Sequence, residues 1–265
     1  MNPADILALY DQEMRLEVEW TDSRREVAPT VVRHVNLHNP GGAILYAWLT
    51  PENQAATVQE QIAYFEQVGG EFEWKVHSHD TPLKLQNYLA TCGFEVEEAE
   101  ALMILDVAQA RPNLRQPIRH TIRRLTQPAQ LADVAAVQQK VWNESFDWLL
   151  ERLAQDLQHH PDHLSVYVGY VAEQPVSSAW TYFHPGSHFA GLWGGSTLAA
   201  FRGQGFYTAL LAARLQEAHQ RGVRYLTVDA SPMSRPILEK LGFTWVSTIY
   251  PYKWRPSSDD DRVAR

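Results

Sequence analysis

The spacing of apolar positions along this chain changes period repeatedly, and each change marks a new element. Helical spacing comes first. Ile6, Leu7, Leu9, Tyr10, Met14 and Leu16 follow the start signal Asn2-Pro3 and predict a helix over residues 2–20. Runs rich in β-branched and aromatic residues predict strands at 30–37 and 43–49, parted by the turn Asn39-Pro-Gly-Gly42. Pro51 opens a predicted helix that reaches about residue 68, where Gly69-Gly70 stops it. A strand at 72–76, a short helix at 83–91 ended by Gly93, and a strand at 94–107 broken near Ala99 complete the first half.

Residues 108–118 carry two prolines and little apolar content, which predicts a linker. The pattern then restarts. A strand at 119–125 and helices at about 128–142 and 147–158 precede strands at 164–172, 176–183 and 189–198. A long helix from about 205 to 220 stops at Gly222. A strand at 225–229, a helix at 235–241 and a strand at 243–250 follow, and the polar tail around Ser257-Ser-Asp-Asp-Asp261 is expected to fray.

One order of elements occurs twice. Gly222, a strand, a helix and Leu241-Gly-Phe243 in the second half match Gly69-Gly70, a strand, a helix and Cys92-Gly-Phe94 in the first. Such agreement predicts a diverged internal repeat.

Composition narrows the class. Thirty-one acidic against 23 basic residues give a net charge of −8, which excludes a general nucleic-acid binder. The cluster Arg115, Arg119, His120, Arg123 and Arg124 does not change this, since alternation along a strand spreads it over two faces. The single cysteine, Cys92, can form no internal disulfide and reads as a packed thiol. No apolar run is long enough to span a membrane, and the start of the chain lacks a signal-peptide pattern, so the expected location is the cytoplasm. Eleven histidines raise the question of a metal. The tightest groups, His77-Ser-His79-Asp80 and His159-His160-Pro-Asp-His163, have neither HExxH nor Cys/His zinc spacing, and no metal is expected.

The segment Leu198-Ala-Ala-Phe-Arg-Gly-Gln-Gly-Phe-Tyr-Thr-Ala-Leu-Leu211 carries the chemistry. It reads as a strand end, a turn and a helix start. Gly203 and Gly205 remove side chains that would block the backbone, the helix adds unpaired N–H groups and the positive end of its dipole, and Arg202 adds a charge. Together these predict an anion cradle suited to a pyrophosphate. The segment is not a P-loop, since no Gly-Lys-Ser/Thr follows, and there is no GxGxxG.

With its surroundings, this segment resembles the acetyl-CoA core of the GNAT superfamily of N-acetyltransferases. Thr197-Leu198, Arg202-Gly-Gln-Gly205, Tyr207, Ala209-Leu210, Arg214, Ala218, Gly222 and Leu241-Gly-Phe243 carry the likeness, which covers about residues 117–254. The signature Gln/Arg-x-x-Gly-x-Gly/Ala is met at Arg202 and Gly205, while Tyr207 stands where Gly or Ala is usual. The resemblance implies an α/β fold of two GNAT-like mixed-sheet domains in tandem, a reduced one at 1–110 and an acetyl-CoA-binding one at 117–255. It implies N-acetyl transfer from acetyl-CoA directly to a primary amine of a small molecule. Cofactor contacts are then expected from Thr197, Leu198, Arg202, Gly203, Gln204, Gly205, Phe206, Tyr207 and Thr208. A backbone N–H at the strand end would polarise the thioester, as in an oxyanion hole, and no nucleophile is needed.

Departures from the family accompany the match. The frequent general-acid tyrosine is Leu238 here, the asparagine near the start of that helix is Ser231, and Leu192-Trp-Gly-Gly195 carries no glutamate. Glu144, in Trp142-Asn-Glu-Ser-Phe146, is the candidate catalytic carboxylate beside the acceptor; a solvated loop carboxylate is the plainer account of it. Asp229 reads as a helix cap, with catalysis as the alternative, and Tyr207, Tyr250 and Tyr252 read as packed aromatics, the alternative for each being to protonate the leaving thiolate. Trp142, Phe146, Trp148, Trp180 and Trp193 are candidates to line an acceptor pocket. The missing acid and tyrosine keep a non-catalytic acyl-CoA-binding or regulatory protein as the alternative.

Overall fold

The computed structural model describes residues 2–82 and 84–256. The tail from residue 257 and the expected helix start at Leu83 lie outside the described residues. In chain order the elements are α1 (Pro3–Tyr10), a π-helical turn (Asp11–Leu16), β1 (Ser23–Val27), β2 (Val31–Asn36), β3 (Gly41–Ala47), α2 (Gln54–Val68), β4 (Glu71–His77), α3 (Leu85–Thr91), β5 (Glu95–Val96), β6 (Glu100–Asp106) and α4 (Pro112–Arg115). Then come β7 (Thr121–Leu125), α5 (Ala132–Trp142), α6 (Asp147–His159), β8 (Leu164–Val171), β9 (Gln174–Phe183), β10 (Phe189–Thr197), α7 (Phe206–Gln220), β11 (Tyr225–Ala230), α8 (Arg235–Leu241) and β12 (Thr244–Trp254).

Two compact units result, and neither is contiguous in sequence. The first comprises the described residues of Met1–Leu102, Asp229–Pro232 and Val246–Arg265; the second comprises Met103–Val228 and Met233–Trp245. Strands β6, β11 and β12 each change unit within their length.

In the first unit the strand order is β1-β2-β3-β4-β12, with β5 also on β12; β3 and β4 are parallel and the other pairs antiparallel. Its core joins Val58 and Phe65 of α2 to Ile44, Phe72, Trp74 and Phe94, closed by Tyr252 and Trp254 of β12. Phe65 stacks on Phe72 at 4.3 Å between centroids. Each fully buried side chain of this size contributes roughly 1.5–3 kcal/mol. Helical structure from residue 3 ends at Leu16, short of the expected 20. Glu17 N–H closes back on the Gln12 carbonyl at 3.0 Å, and Arg25 Nε takes the Leu16 carbonyl at 2.7 Å. Strand β1 was not expected from the sequence. Its Ser-Arg-Arg-Glu-Val is mostly polar because it is an edge strand, held by β2 alone.

In the second unit the order is β11-β10-β9-β8-β7, antiparallel except for the parallel pair β10–β11. Alternation along β8 fixes the layers. Leu164, Val166, Val168 and Tyr170 pack with Val134 of α5 and Leu153 of α6, whereas Tyr167 faces Leu210 and Ala213 of α7. Within residues 108–118 the chain forms α4, whose Leu114 is fully buried and whose carbonyl takes Gln216 Nε2 at 3.2 Å.

The internal repeat is visible in the geometry. Helices α2 and α7 each have 15 residues, and each stands between the members of a parallel strand pair. Helices α3 and α8 each have seven residues and end alike. Phe94 N–H bonds the Leu89 carbonyl at 3.2 Å, and Phe243 N–H bonds the Leu238 carbonyl at 3.1 Å. Gly93 and Gly242 supply the positive φ, +84° and +102°, that this closure requires.

Candidate functional site

The turn between β10 and α7 lies wholly in the second unit. A short 3₁₀ segment, Ala199–Phe201, leads from the strand to Gly203 and Gly205, whose φ values of +75° and +88° put both in the left-handed region. Gly205 caps α7 without a side-chain bond, so the first helical N–H groups have no internal partner. Among the described residues, the backbone N–H groups of residues 203–208 form no hydrogen bond of good geometry; the first in α7 to be satisfied is Ala209 N–H, on the Gly205 carbonyl at 2.9 Å. Side chains brace the turn from outside. Arg202 Nε bonds the Thr197 carbonyl at 3.1 Å, Gln204 Nε2 the Ala200 carbonyl at 2.9 Å, and His120 Nε2 lies 2.8 Å from the Gln204 carbonyl. Arg202, Gly203, Gln204 and Gly205 are exposed, Tyr207 and Thr208 half-buried, and Phe206 is buried edge-on to His120 at 4.6 Å.

The corresponding helix start in the first unit is closed. Asn53 and Thr50 bond each other's backbone N–H groups through their side chains, and Gln54 N–H takes the Thr50 carbonyl at 3.0 Å. Neither residue is a glycine, and α2 has no comparable run of free donors at its start.

Strand β10 diverges from its parallel neighbour. Pairing with β11 runs from Phe189↔Tyr225 to Gly191↔Thr227, while β10 continues to Thr197. On its other edge, register with β9 steps from Trp193↔Trp180 to Ser196↔Ser178, so β10 holds one extra residue there, a β-bulge. Gly194 makes the bulge, with φ +61°, and a Cβ there would overlap the Trp180 ring. Beyond the bulge much of the backbone is occupied. Ser177 Oγ bonds the Ser196 carbonyl at 2.7 Å, and Leu198 N–H bonds the Val176 carbonyl at 2.9 Å. Thr197 Oγ1 lies 2.8 Å from Ser177 Oγ. The open backbone edge of β10 is therefore its β11 side past Gly191.

Other expected residues fall as follows. Glu144 is exposed in the α5–α6 turn and makes no hydrogen bond or ion pair among the described residues. Leu238 is buried at 1 % exposure, an apolar core position. Asp229 is not the cap of α8; the cap position is Ser234, and Asp229 Oδ2 receives Lys75 Nζ at 3.1 Å in the first unit. Burial works against the charge on Lys75, but Asp229, Glu73 and Glu100 outweigh it and hold its pKa above the ordinary value. Burial and Asp229 in turn push Glu100 up to about 7. Tyr250 and Tyr252 pack in the first unit's core. Trp180 is buried, while Trp142, Trp148 and Trp193 are exposed. Among the described residues, no three His, Cys, Asp or Glu side chains are placed to hold a metal ion, and no helix is long and apolar enough to cross a membrane.

Three residues near the site were given no role there by the sequence. His120 braces the turn from the bend just before β7. Gln138 of α5, 2 % exposed, contacts β9 and β10 through its amide. Arg214 of α7, also 2 % exposed, hydrogen-bonds among the described residues only to the Leu210 and Trp180 carbonyls, at 3.3 and 3.4 Å. Burial without a carboxylate partner lowers its pKa to about 10. Tyr207 lies on the same helix. Burial raises its pKa against the pull of Arg214, and its ring stands 3.0 Å from where a Cβ on Gly195 would be.

Comparisons with known proteins agree with this geometry. Residues 125–243 match the family model described as the acetyltransferase (GNAT) family. No curated protein sequence matches the chain. Among solved structures, a GCN5-related N-acetyltransferase from Kribbella flavida is similar over 95 % of this chain and 95 % of its own, at 16 % identity and a TM-score of 0.69. A functionally unknown conserved protein from Staphylococcus epidermidis covers 90 % and 96 %, at 13 % identity and 0.67. A tandem GNAT protein from the clavulanic acid biosynthesis pathway covers 92 % and 87 %, at 13 % identity and 0.60. The chain has the α/β fold seen in tandem GNAT proteins, and its residues 125–243 match the acetyltransferase (GNAT) family.

Proposed function

We propose that the second unit binds acetyl-CoA and transfers its acetyl group to a primary amine of a small molecule. The observation that carries this is the run of unpartnered backbone N–H groups at residues 203–208. Donors converging at a helix start with its dipole form a site for a pyrophosphate. Arg202 and Thr208 stand at its rim, and Phe206 and Tyr207 form its wall toward the helix. The pantetheine arm would lie along the unpaired edge of β10, toward Thr197 and Leu198, as an added strand does. There a backbone N–H polarises the thioester carbonyl. The amine attacks that carbon, the C–S bond breaks, CoA leaves as thiolate, and the proton released by the amine returns to it through solvent or a nearby group. We assign Glu144 to hold the acceptor ammonium. Exposed Trp142, Trp148 and Trp193 favour an amine with an apolar part, and the net negative charge disfavours a polyanionic acceptor such as nucleic acid. Activity in the cytoplasm follows from the need for acetyl-CoA.

Two observations favour a second reading, a non-catalytic acyl-CoA binder. Leu238 can donate no proton, and Glu144 has no partner to orient it. One set of experiments separates the cases. Acetyl-CoA at saturating concentration should raise the melting temperature, and Gly205→Glu should abolish that rise. CoA thiol released only with particular amines supports the enzyme. Stabilisation without release across a broad amine panel supports the binder, and no stabilisation rejects both.

A further inference from the structure

The bulge in β10 is braced from outside its own strand. Its extra residue, Gly194, is in the left-handed region, and the strand beyond Gly191 lacks a neighbour on the β11 side. Glycine in such a place can move. One side chain restrains it. Gln138 Nε2 donates to the Gly194 carbonyl at 2.8 Å and to Ser178 Oγ at 3.0 Å, and Oε1 accepts from Ser196 Oγ and from Trp142 Nε1, each at 3.1 Å. The amide thus holds the bulge residue, Ser196 beyond it and Ser178 on the facing strand at once. Both of its polar atoms are satisfied, and at 2 % exposure water does not compete. Trp180 closes the opposite side of Gly194. A peptide plane whose carbonyl is fixed has its N–H fixed too.

We infer that Gln138 is a positioning residue: it sets the direction of the β10 bulge peptides, and so the course of the strand end whose backbone N–H polarises the thioester carbonyl. The inference rests on the proposed acetyl-CoA site. Gln138 itself touches no substrate. Its role is to keep a donor on target, where a displacement of about 1 Å can cost on the order of 100-fold in rate.

The test uses the full chain with Gln138→Leu and Gln138→Glu. Leucine removes every bond at similar volume, while glutamate keeps the acceptor for Ser196 and Trp142 and loses the donor to Gly194. The probe is acetyl-CoA labelled with ¹³C at the carbonyl, whose stretching frequency and chemical shift in the bound state report polarisation without any acceptor. The wild type should shift both away from free acetyl-CoA. Both variants should return them toward the free values while acetyl-CoA affinity stays within about threefold. With an amine substrate in hand, kcat should fall about 100-fold and KM for acetyl-CoA should hold. A full carbonyl shift in both variants, or none in a wild type that binds acetyl-CoA, overturns the inference. A wild type that fails to bind acetyl-CoA overturns the proposed function instead.

Discussion

Glu100 is a carboxyl at odds with its surroundings. Burial and the neighbouring Asp229 raise it to about 7, from an ordinary 4.5, even with Lys75 nearby. Below the ordinary value it is protonated whether the chain is folded or not, and costs nothing. As pH rises from about 4.5 to 7 the unfolded chain loses this proton first, so the folded state loses stability across that window and carries the full penalty above it. Glu100→Gln should therefore raise the melting temperature at pH 8 and leave it unchanged at pH 4.5. Equal shifts at both values would show that the carboxyl carries no burden. Nothing in the sequence announces this group. Lys75 and Asp229 meet across a separation of 154 residues, and Gln138 reaches the bulge across 56. Side-chain pairings at such separations leave no local pattern. The glycine turn was legible because its chemistry is local: two glycines, a charge and a helix start in one short string dictate the backbone that the structure shows.

At the scale of elements, the turn and helix α7 form one device, and its two glycines are not equivalent. A Cβ on Gly203 would meet nothing within 4 Å. Gly203→Ala should cost about 1 kcal/mol, the penalty of the left-handed conformation alone. A Cβ on Gly205 would stand 3.2 Å from His120 Cε1 and press that ring away from the Gln204 carbonyl. Gly205→Ala should therefore cost more, and a His120→Ala background should recover the excess. Urea unfolding of the four proteins in this cycle measures the coupling, and strict additivity would mean that the ring yields freely. Periodicity located most elements of both units, since each buries one apolar face. It missed β1, whose Ser-Arg-Arg-Glu-Val presents no apolar alternation, and it ran the first helix past Leu16, where Arg25 ends it from a distance.

For the whole molecule, the order of the chain and the order of the fold part company. Strand β12 is last in sequence, yet from Val246 on it belongs to the first unit, and Tyr252 and Trp254 fill that unit's core. Removing residues 246–265 should unfold the first unit: the near-ultraviolet signal of Trp74 should collapse, and protease should cut within residues 1–102. A truncated chain that keeps both properties would show the core to be complete without β12. The repeat was visible in sequence through its two Gly-Phe helix ends, but this exchange of a strand was not, because an apolar strand reads the same whichever sheet receives it.

That arrangement also sets a clock on synthesis. When residue 102 has been made, β4 has no β12 to pair with, and the partner is complete only some 150 residues later. At about 5–20 residues per second the wait is on the order of ten to thirty seconds, far longer than a small domain needs to collapse. Throughout it, the first unit carries an unsealed strand edge and an apolar face around Phe72 and Trp74, and depends on the ribosome's surroundings to keep other chains away.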